Sequence, residues 1–280
     1  MIDLHTHSTA SDGSCAPERL VSLALEGGLS ALALTDHDTL AGIERAREAA
    51  AGTSLRLLAG VEIEIAREEG EFHLLGLWLS DRRDGLEAAL AKVRTDRNTR
   101  NLRMIDRLRE AGFPVSMEEL RELAGGEVIS RAHLAHLLVR KGIARSIDAA
   151  FSRFIGKGKE FYEPRACLAL GEACSLIRAC GGLPVVAHPL SLDLRGPALR
   201  QELSAAKAAG VAGVEAWHPN HSVKDCRMLA RLARELGLAV TGGSDFHGEN
   251  MPRRKLGQTA GGREIPDELL DALALHRVGG

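Results

Sequence analysis

Two histidines one residue apart lie close to the start of the chain, in Asp3-Leu4-His5-Thr6-His7, followed by Ser11-Asp12-Gly13. In an extended strand, side chains two apart point the same way, so His5 and His7 can present two imidazoles to one cation. Taken alone, the pair reads more readily as two polar residues at a strand end. Other segments repeat the theme. Thr35-Asp36-His37-Asp38 closes one apolar run, and Glu62 sits in Gly60-Val61-Glu62-Ile63-Glu64. His73 follows Phe72, His188-Pro189 ends another run, and Ser244-Asp245-Phe246-His247 follows a third. Six of the eleven histidines therefore fall at or near β-rich runs, mostly at their C-terminal ends, the end at which parallel α/β folds build active sites. A metal cluster explains this placement better than chance. A catalytic zinc site uses about three protein ligands plus water, so this many candidates suit three ions sharing one bridging carboxylate, for which Glu62 is the candidate. Donors of imidazole and carboxylate type, with no thiolate, favour manganese, iron or zinc over a soft-metal site.

The elements that must position these residues alternate. Strands are expected at Ile2–Leu4, Ala31–Leu34, Leu57–Ile63, Phe72–Leu77, Leu183–Ala187, Gly213–Ala216 and Ala239–Thr241. Helices are expected at Pro17–Glu26, Leu40–Ala51, Leu170–Ala179, Pro197–Ala209, Val223–Leu236 and Pro266–Leu275. Pro17 suits a first helical turn, and Gly27 and Gly237 suit helix ends. Strand–helix alternation, with strands apolar on both faces, implies an α/β fold with a buried parallel sheet. Asp36 is expected to orient a neighbouring imidazole, and Asp38 to cap a helix at Leu40. From about Leu86 to Arg165 the strand signal fades. Leu86, Leu90, Val93, Leu102, Ile105 and Leu108 keep a helical period, and Ser116–Leu123, Ser130–Lys141 and Ile147–Phe154 follow as shorter helices. Residues 93–165 thus read as a helical insertion in a body made of 1–92 and 166–280. The insertion carries 15 Lys/Arg and 10 Asp/Glu, a balance of +5, which leaves −7 of the total −2 for the body.

Composition narrows the function. With 280 residues, 45% hydrophobic and 26% charged, the chain can bury a core without disulfide or metal staples. A net charge of −2 creates no global field for nucleic acid or membrane. Aromatics at 3% argue against a surface that stacks many bases. The longest apolar runs are strand-sized, so no membrane span is expected. Five cysteines, none in a CxxC pair, speak against a secreted disulfide scaffold and an all-thiolate zinc site. With no leader-like segment at the start, a cytoplasmic location is expected, with no obligate protein partner.

His-Thr-His, Thr-Asp-His-Asp, Gly-Val-Glu, the following His73, His188-Pro189 and Gly-Ser-Asp-Phe-His, in this order, resemble the PHP (polymerase and histidinol phosphatase) superfamily. The resemblance covers the body outside the insertion. It implies a distorted (β/α)7 TIM-like barrel with an inserted all-helical subdomain, and a trinuclear metal centre. The ligands it implies are His5, His7, Asp12, His37, Glu62, His73, His188, Asp245 and His247, with Asp12, His37, His188 and His247 closest to the chemistry. None of the nine positions is substituted. The ions implied are divalent, Mn2+ foremost, with Zn2+, Fe2+ or Mg2+ as alternatives. Clustered cations lower the pKa of bound water towards about 7 and neutralise a transferring phosphoryl group. The expected reaction is phosphoester hydrolysis by in-line attack of the hydroxide so formed.

The insertion bears on which ester is cleaved. Arg94, Arg97, Asn101 and either Met104 or Leu108 follow helical spacing, with Arg100, Arg103 and Arg107 nearby. An exposed basic helix is commonly plain surface; here Arg97 and Asn101 are candidates to grip a second phosphate. Ser130 and Arg131, at a helix start, are candidate phosphate contacts. His133 and His136 read as packing or surface residues. His218 and His221 follow a strand end and are candidates to line the pocket, with His221 a possible proton donor to the leaving group; His276 has no assigned role. The chain is similar to the stand-alone nucleotide-phosphatase branch, including tryptophan-operon-associated proteins. That similarity implies removal of the 3′-phosphate from 3′,5′-bisphosphonucleosides such as pAp. Three alternatives stand beside it: a 5′–3′ exoribonuclease on short 5′-phosphorylated RNA, a histidinol-phosphate phosphatase, and a non-enzymatic, metal-stabilised nucleotide-binding module. The cationic amine of histidinol phosphate suits a basic insertion poorly.

Overall fold

The computed structural model describes residues 1–277. Seven strands form one curled sheet in chain order: β1 (Ile2–Thr6), β2 (Ala31–Leu34), β3 (Arg56–Ile65), β4 (Phe72–Leu77), β5 (Leu183–Val186), β6 (Gly213–Trp217) and β7 (Ala239–Gly242). The curl brings the two ends together. Thr6 bridges Phe246 in parallel register, and the buried Asp3 carboxylate accepts the amides of Ser244 at 2.9 Å and Gly257 at 2.8 Å. Burial pushes the Asp3 carboxyl up to about 6, against the pull of those hydrogen bonds. The architecture is a distorted TIM-like barrel. α1 (Pro17–Glu26), α2 (Ile43–Ala50), α7 (Leu170–Ala179), α8 (Gly196–Ala208), α9 (Val223–Glu235) and α10 (Glu268–Ala274) flank it.

The sheet is not wholly parallel. Only six residues join β3 to β4, too few for the crossover that a parallel neighbour requires. β4 therefore runs antiparallel to both β3 and β5. This reversal has a consequence for the site. His73, near the start of β4, reaches the same barrel end as the C-termini of the parallel strands. Glu62 and Glu64 share one face of β3, and Glu64 pairs directly with His73.

α3 (Asp84–Glu110) runs 27 residues, about 40 Å, without a break at residue 93. Its first half packs Leu86 and Leu90 into the barrel core. Its second half puts Met104, Ile105 and Leu108 into a separate apolar cluster that ends at Phe161. α4 (Met117–Ala124), α5 (Arg131–Arg140), α6 (Ile147–Ala150) and a π-helical turn at Phe151–Ile155 complete that cluster. The second core thus begins in mid-helix, not at an end of an element.

Two expectations near β2 are corrected. α2 starts at Ile43 behind Gly42, so Asp38 caps nothing. It sits at φ 52° and pairs instead with Arg97 and, at 3.1 Å, Arg165. Asp36 orients no imidazole. It accepts the Ser8 amide and hydroxyl, both at 2.7 Å, and the Ser11 hydroxyl at 2.6 Å, so it shapes the loop that carries Asp12.

Candidate metal centre

The nine candidate ligands converge at the barrel mouth. Glu62 is their hub. Its Oε2 lies 3.2 Å from His5 Nε2, His7 Nε2 and His37 Nδ1. Its Oε1 lies 2.9 Å from His73 Nδ1 and 3.0 Å from His188 Nε2. Asp245 Oδ1 is 3.2 Å from His7 and 3.5 Å from His5. Asp12 Oδ1 is 3.2 Å from His247, and Asp12 approaches His7 and His37 to 3.8 Å. The donors fall into overlapping groups: His7, Asp12, His37 and His247; His5, His7, Glu62 and Asp245; His37, Glu62 and His73.

Whether such a cluster suits cations can be tested on its unpaired atoms. His5 Nε2 and both His7 nitrogens are buried and make no hydrogen bond, though carboxylate oxygens stand beside them. Buried polar atoms are nearly always satisfied. Here, the missing partner is of the kind a cation supplies. Neighbouring acceptors also set the tautomers. His5 Nδ1 lies 3.0 Å from Glu215 Oε1 and His247 Nδ1 lies 2.8 Å from the Asp245 carbonyl. Both neighbours only accept, so each Nδ1 donates and each Nε2 is left with its lone pair directed inward. Ser191 does the same for His188 at 3.0 Å, because its own hydroxyl donates to a backbone carbonyl. Burial alone would neutralise these groups. Mutual attraction outweighs it at His7, which Asp245 and Glu62 hold at about 10, and at Asp12, which His37 and His247 hold well below the carboxylate range, whereas burial prevails at His37, pushed down to about 4. The site is thus built for charge.

A cavity of about 640 Å3 opens over the cluster. Asp12, His37, Glu62, His73, His188, Asp245 and His247 line it, whereas His5 and His7 lie fully buried beneath. Arg97, Ser130, Arg131 and His221 also line it. Asn101 does not, which corrects its candidacy as a phosphate contact. It is fully buried, donates to the Ile129 carbonyl at 2.7 Å and accepts from Arg100 at 2.9 Å. Alanine at 101 should therefore destabilise the fold by about 1–2 kcal/mol in a urea titration, with KM unmoved. A raised KM at intact stability would restore Asn101 to the pocket.

The basic helix is likewise only partly a substrate face. Arg94 holds the Asp38 carbonyl and Glu87, and Arg103 and Arg107 pair with Glu163. Arg97 alone of that stripe lines the cavity. At the start of α5, Ser130 Oγ accepts the amides of Ala132 and His133, which takes up those two donors and leaves its own O–H to donate. The His133 ring completes this cap by accepting the Ser130 amide at 3.1 Å. His221 lines the cavity, but its surroundings speak against a role as proton donor. Burial, reinforced by His218, pushes it down to about 4, and its one remaining proton faces the Ala216 carbonyl at 3.4 Å.

Sequence reading did not identify Glu215 as a site residue. It is fully buried in β6, accepts His5 Nδ1 and takes the His188 amide at 2.8 Å. The signal was an acidic residue inside the apolar strand Gly-Val-Glu-Ala-Trp. His218 plays a similar part: its Nδ1 accepts the Asn220 amide, so its Nε2 donates to Asp245 Oδ2 at 3.2 Å. Arg254 also holds Asp245, through its carbonyl at 2.8 Å and its carboxylate. Gly243 makes this packing possible. A Cβ there would stand 2.6 Å from Glu215 Oε1 and 3.0 Å from the His5 amide, and would press on the His5 side chain. Gly243→Ala should lower stability by about 2 kcal/mol and reduce bound metal, as read by denaturant melts and elemental analysis; a variant with wild-type values for both would show that the strand end yields freely.

The comparisons agree with this geometry. A family model for the PHP domain matches residues 3–153. A 5′-3′ exoribonuclease of Haemophilus influenzae is 38% identical over 245 residues, 88% of this chain and 89% of that protein. A 3′,5′-nucleoside bisphosphate phosphatase of Chromobacterium violaceum is 32% identical over 259 residues, 92% and 91% of the two chains. Among solved structures, a Bifidobacterium adolescentis protein provisionally assigned as a metal-dependent phosphoesterase superposes with a TM-score of 0.87 at 30% identity, covering 99% of this chain and 96% of that one. The chain belongs to the PHP domain family and is a metal-dependent phosphoesterase.

Proposed function

We propose that this protein hydrolyses the 3′-phosphoester of 5′-phosphorylated nucleotides, with 3′,5′-bisphosphonucleosides such as pAp as the leading substrate and AMP plus phosphate as products. The observation that carries this reading is the layout of the cavity: a carboxylate–imidazole cluster forms its floor, and arginines from the helical region, Arg97 and Arg131, stand on its wall. One phosphate is placed at the floor and the other at the arginines.

The nine residues His5, His7, Asp12, His37, Glu62, His73, His188, Asp245 and His247 would hold three divalent cations, Mn2+ foremost. Such ions, when bound, acidify water and neutralise phosphoryl oxygens. The residues of the chain supply the rest. Asp12, His37, His188 and His247 face the cavity and border the phosphorus to be attacked. Arg97 and Arg131 fix the 5′-phosphate, so that the 3′-ester lies in line for water. Arg97 Nε is buried without a hydrogen-bond partner.

The second reading is a 5′–3′ exoribonuclease on short RNA. It breaks the same bond, P–O3′, of a 5′-phosphorylated nucleotide; only the group beyond the phosphate differs. The cavity favours it in one respect, since its wall continues past the cluster to Arg195, Asn220 and Asp225, room for a further nucleotide. The relative at 38% identity bears that name.

The test is phosphate and nucleotide release by the manganese-loaded protein from pAp, AMP, histidinol phosphate and a 5′-phosphorylated trinucleotide. AMP and phosphate from pAp, lost on chelation and restored by Mn2+, support the leading reading. Faster release of mononucleotides from the trinucleotide would promote the second. Hydrolysis of histidinol phosphate alone would overturn both.

A further inference from the structure

Most residues of the cavity wall are polar or charged; Ala132, Phe151, Leu190 and Met251 are its apolar residues. Of the chain's nine Phe, Trp and Tyr residues, Phe151 is the one that lines it. The others are placed elsewhere: Phe113, Phe154 and Phe161 pack edge and face against one another, and Trp78 lies between Arg56 and Arg277 beyond the far end of β4.

The backbone presents Phe151 in an unusual way. α6 gives way at Phe151 to a π-helical turn closed by the Gly156 amide on the Phe151 carbonyl at 2.9 Å. A Cβ on Gly156 would press on that carbonyl, so the closure depends on glycine. Single π-turns of this kind are concentrated at functional sites. The ring is half-buried: it packs on the helical core and also borders the cavity. The Arg131 guanidinium lies 5.9 Å from its centroid and 5.6 Å from that of Tyr162, with Glu71 held at 3.1 Å. Arginine and ring thus form one fixed unit.

Resting on the reading above, we propose that Phe151 is the stacking wall for the nucleobase of the substrate. In a nucleoside 5′-phosphate, base and phosphate hang from the same ribose. A ring packed against the arginine that holds the 5′-phosphate therefore stands within reach of the base. Every base has a π-face, so a single phenyl wall favours base-bearing substrates over plain sugar phosphates without selecting among bases.

Calorimetry on the manganese-loaded protein with adenosine 5′-phosphate and ribose 5-phosphate tests this. Wild type should bind the nucleotide more tightly. Phe151→Ala should weaken nucleotide binding about tenfold and leave ribose 5-phosphate unchanged, and Phe151→Trp should keep the preference. Phe151→Leu, which preserves apolar bulk for folding, should lose it as the alanine variant does. Equal weakening of both ligands, no weakening of either, or no preference in wild type would overturn the proposal. If wild type hydrolyses no nucleotide yet the preference for adenosine 5′-phosphate depends on the ring, the catalytic reading falls while the stacking wall stands.

Discussion

Alanine at position 62 is expected to abolish phosphate release, with kcat/KM reduced on the order of 10^3-fold or more, and to cost more than one ion per chain by elemental analysis. The reason is geometric. A carboxylate within about 3 Å of five imidazoles, His5, His7, His37, His73 and His188, is shared by two of the three donor groups. Losing it removes the only acid among His37, Glu62 and His73, and leaves Asp245 as the one acid of the group that it forms with His5 and His7. Glu62→Gln keeps the shape and loses the charge, so it should fold as wild type does and still fail to hold its metals. A glutamine variant with a full complement and normal turnover would remove Glu62 as the bridge.

The second large effect is expected from a residue that lines no cavity. Glu215→Ala leaves the His5 Nδ1 proton and the His188 amide without their acceptor, and frees two ligands from different strands at once. Losses of this kind typically reach about 10–100-fold in metal affinity. Activity at limiting Mn2+ should fall accordingly and recover substantially at saturating Mn2+, whereas the Glu62 variants should not recover. A competitive chelator titration provides the readout independent of turnover. Wild-type metal affinity in a folded Glu215→Ala protein would show that β1 and the end of β5 position the two imidazoles without it. Glu215→Gln separates charge from hydrogen bonding, since its amide can accept from one partner but not serve both as the carboxylate does.

Much of this site was legible from residue types and period alone. His5 and His7 share a strand face because strands alternate. Asp245 and His247 follow a short apolar run, and the alternation of runs and amphipathic helices brings such run ends to one side of the fold. Those inferences need only local rules, which is why strand positions such as Ala31–Leu34 and Phe72–Leu77 were readable to the residue. His73 was identified for a weaker reason, since it lies at the start of its strand. It joins the cluster because six linking residues force β4 to turn back.

Direction and pairing of long side chains required the tertiary structure. Asn101 and Arg97 are one helical turn apart on α3, yet only Arg97 lines the cavity, while Asn101 turns to the Ile129 carbonyl. Asp38 resembles a helix cap in sequence, but two arginines, one on α3 and one just past the helical cluster, claim it across 59 and 127 residues. Ser130 resembles an anion contact in sequence, and in the fold it also caps its own helix. The sequence by itself offered the residues that could bind metal and the strand ends that carry them, because alternation and connection length are properties of neighbouring residues, and the resemblance to the PHP superfamily selected among them. Only the tertiary structure decided which polar groups face the cavity and which hold others in place, because that depends on partners contributed by distant segments competing for the same donors and acceptors.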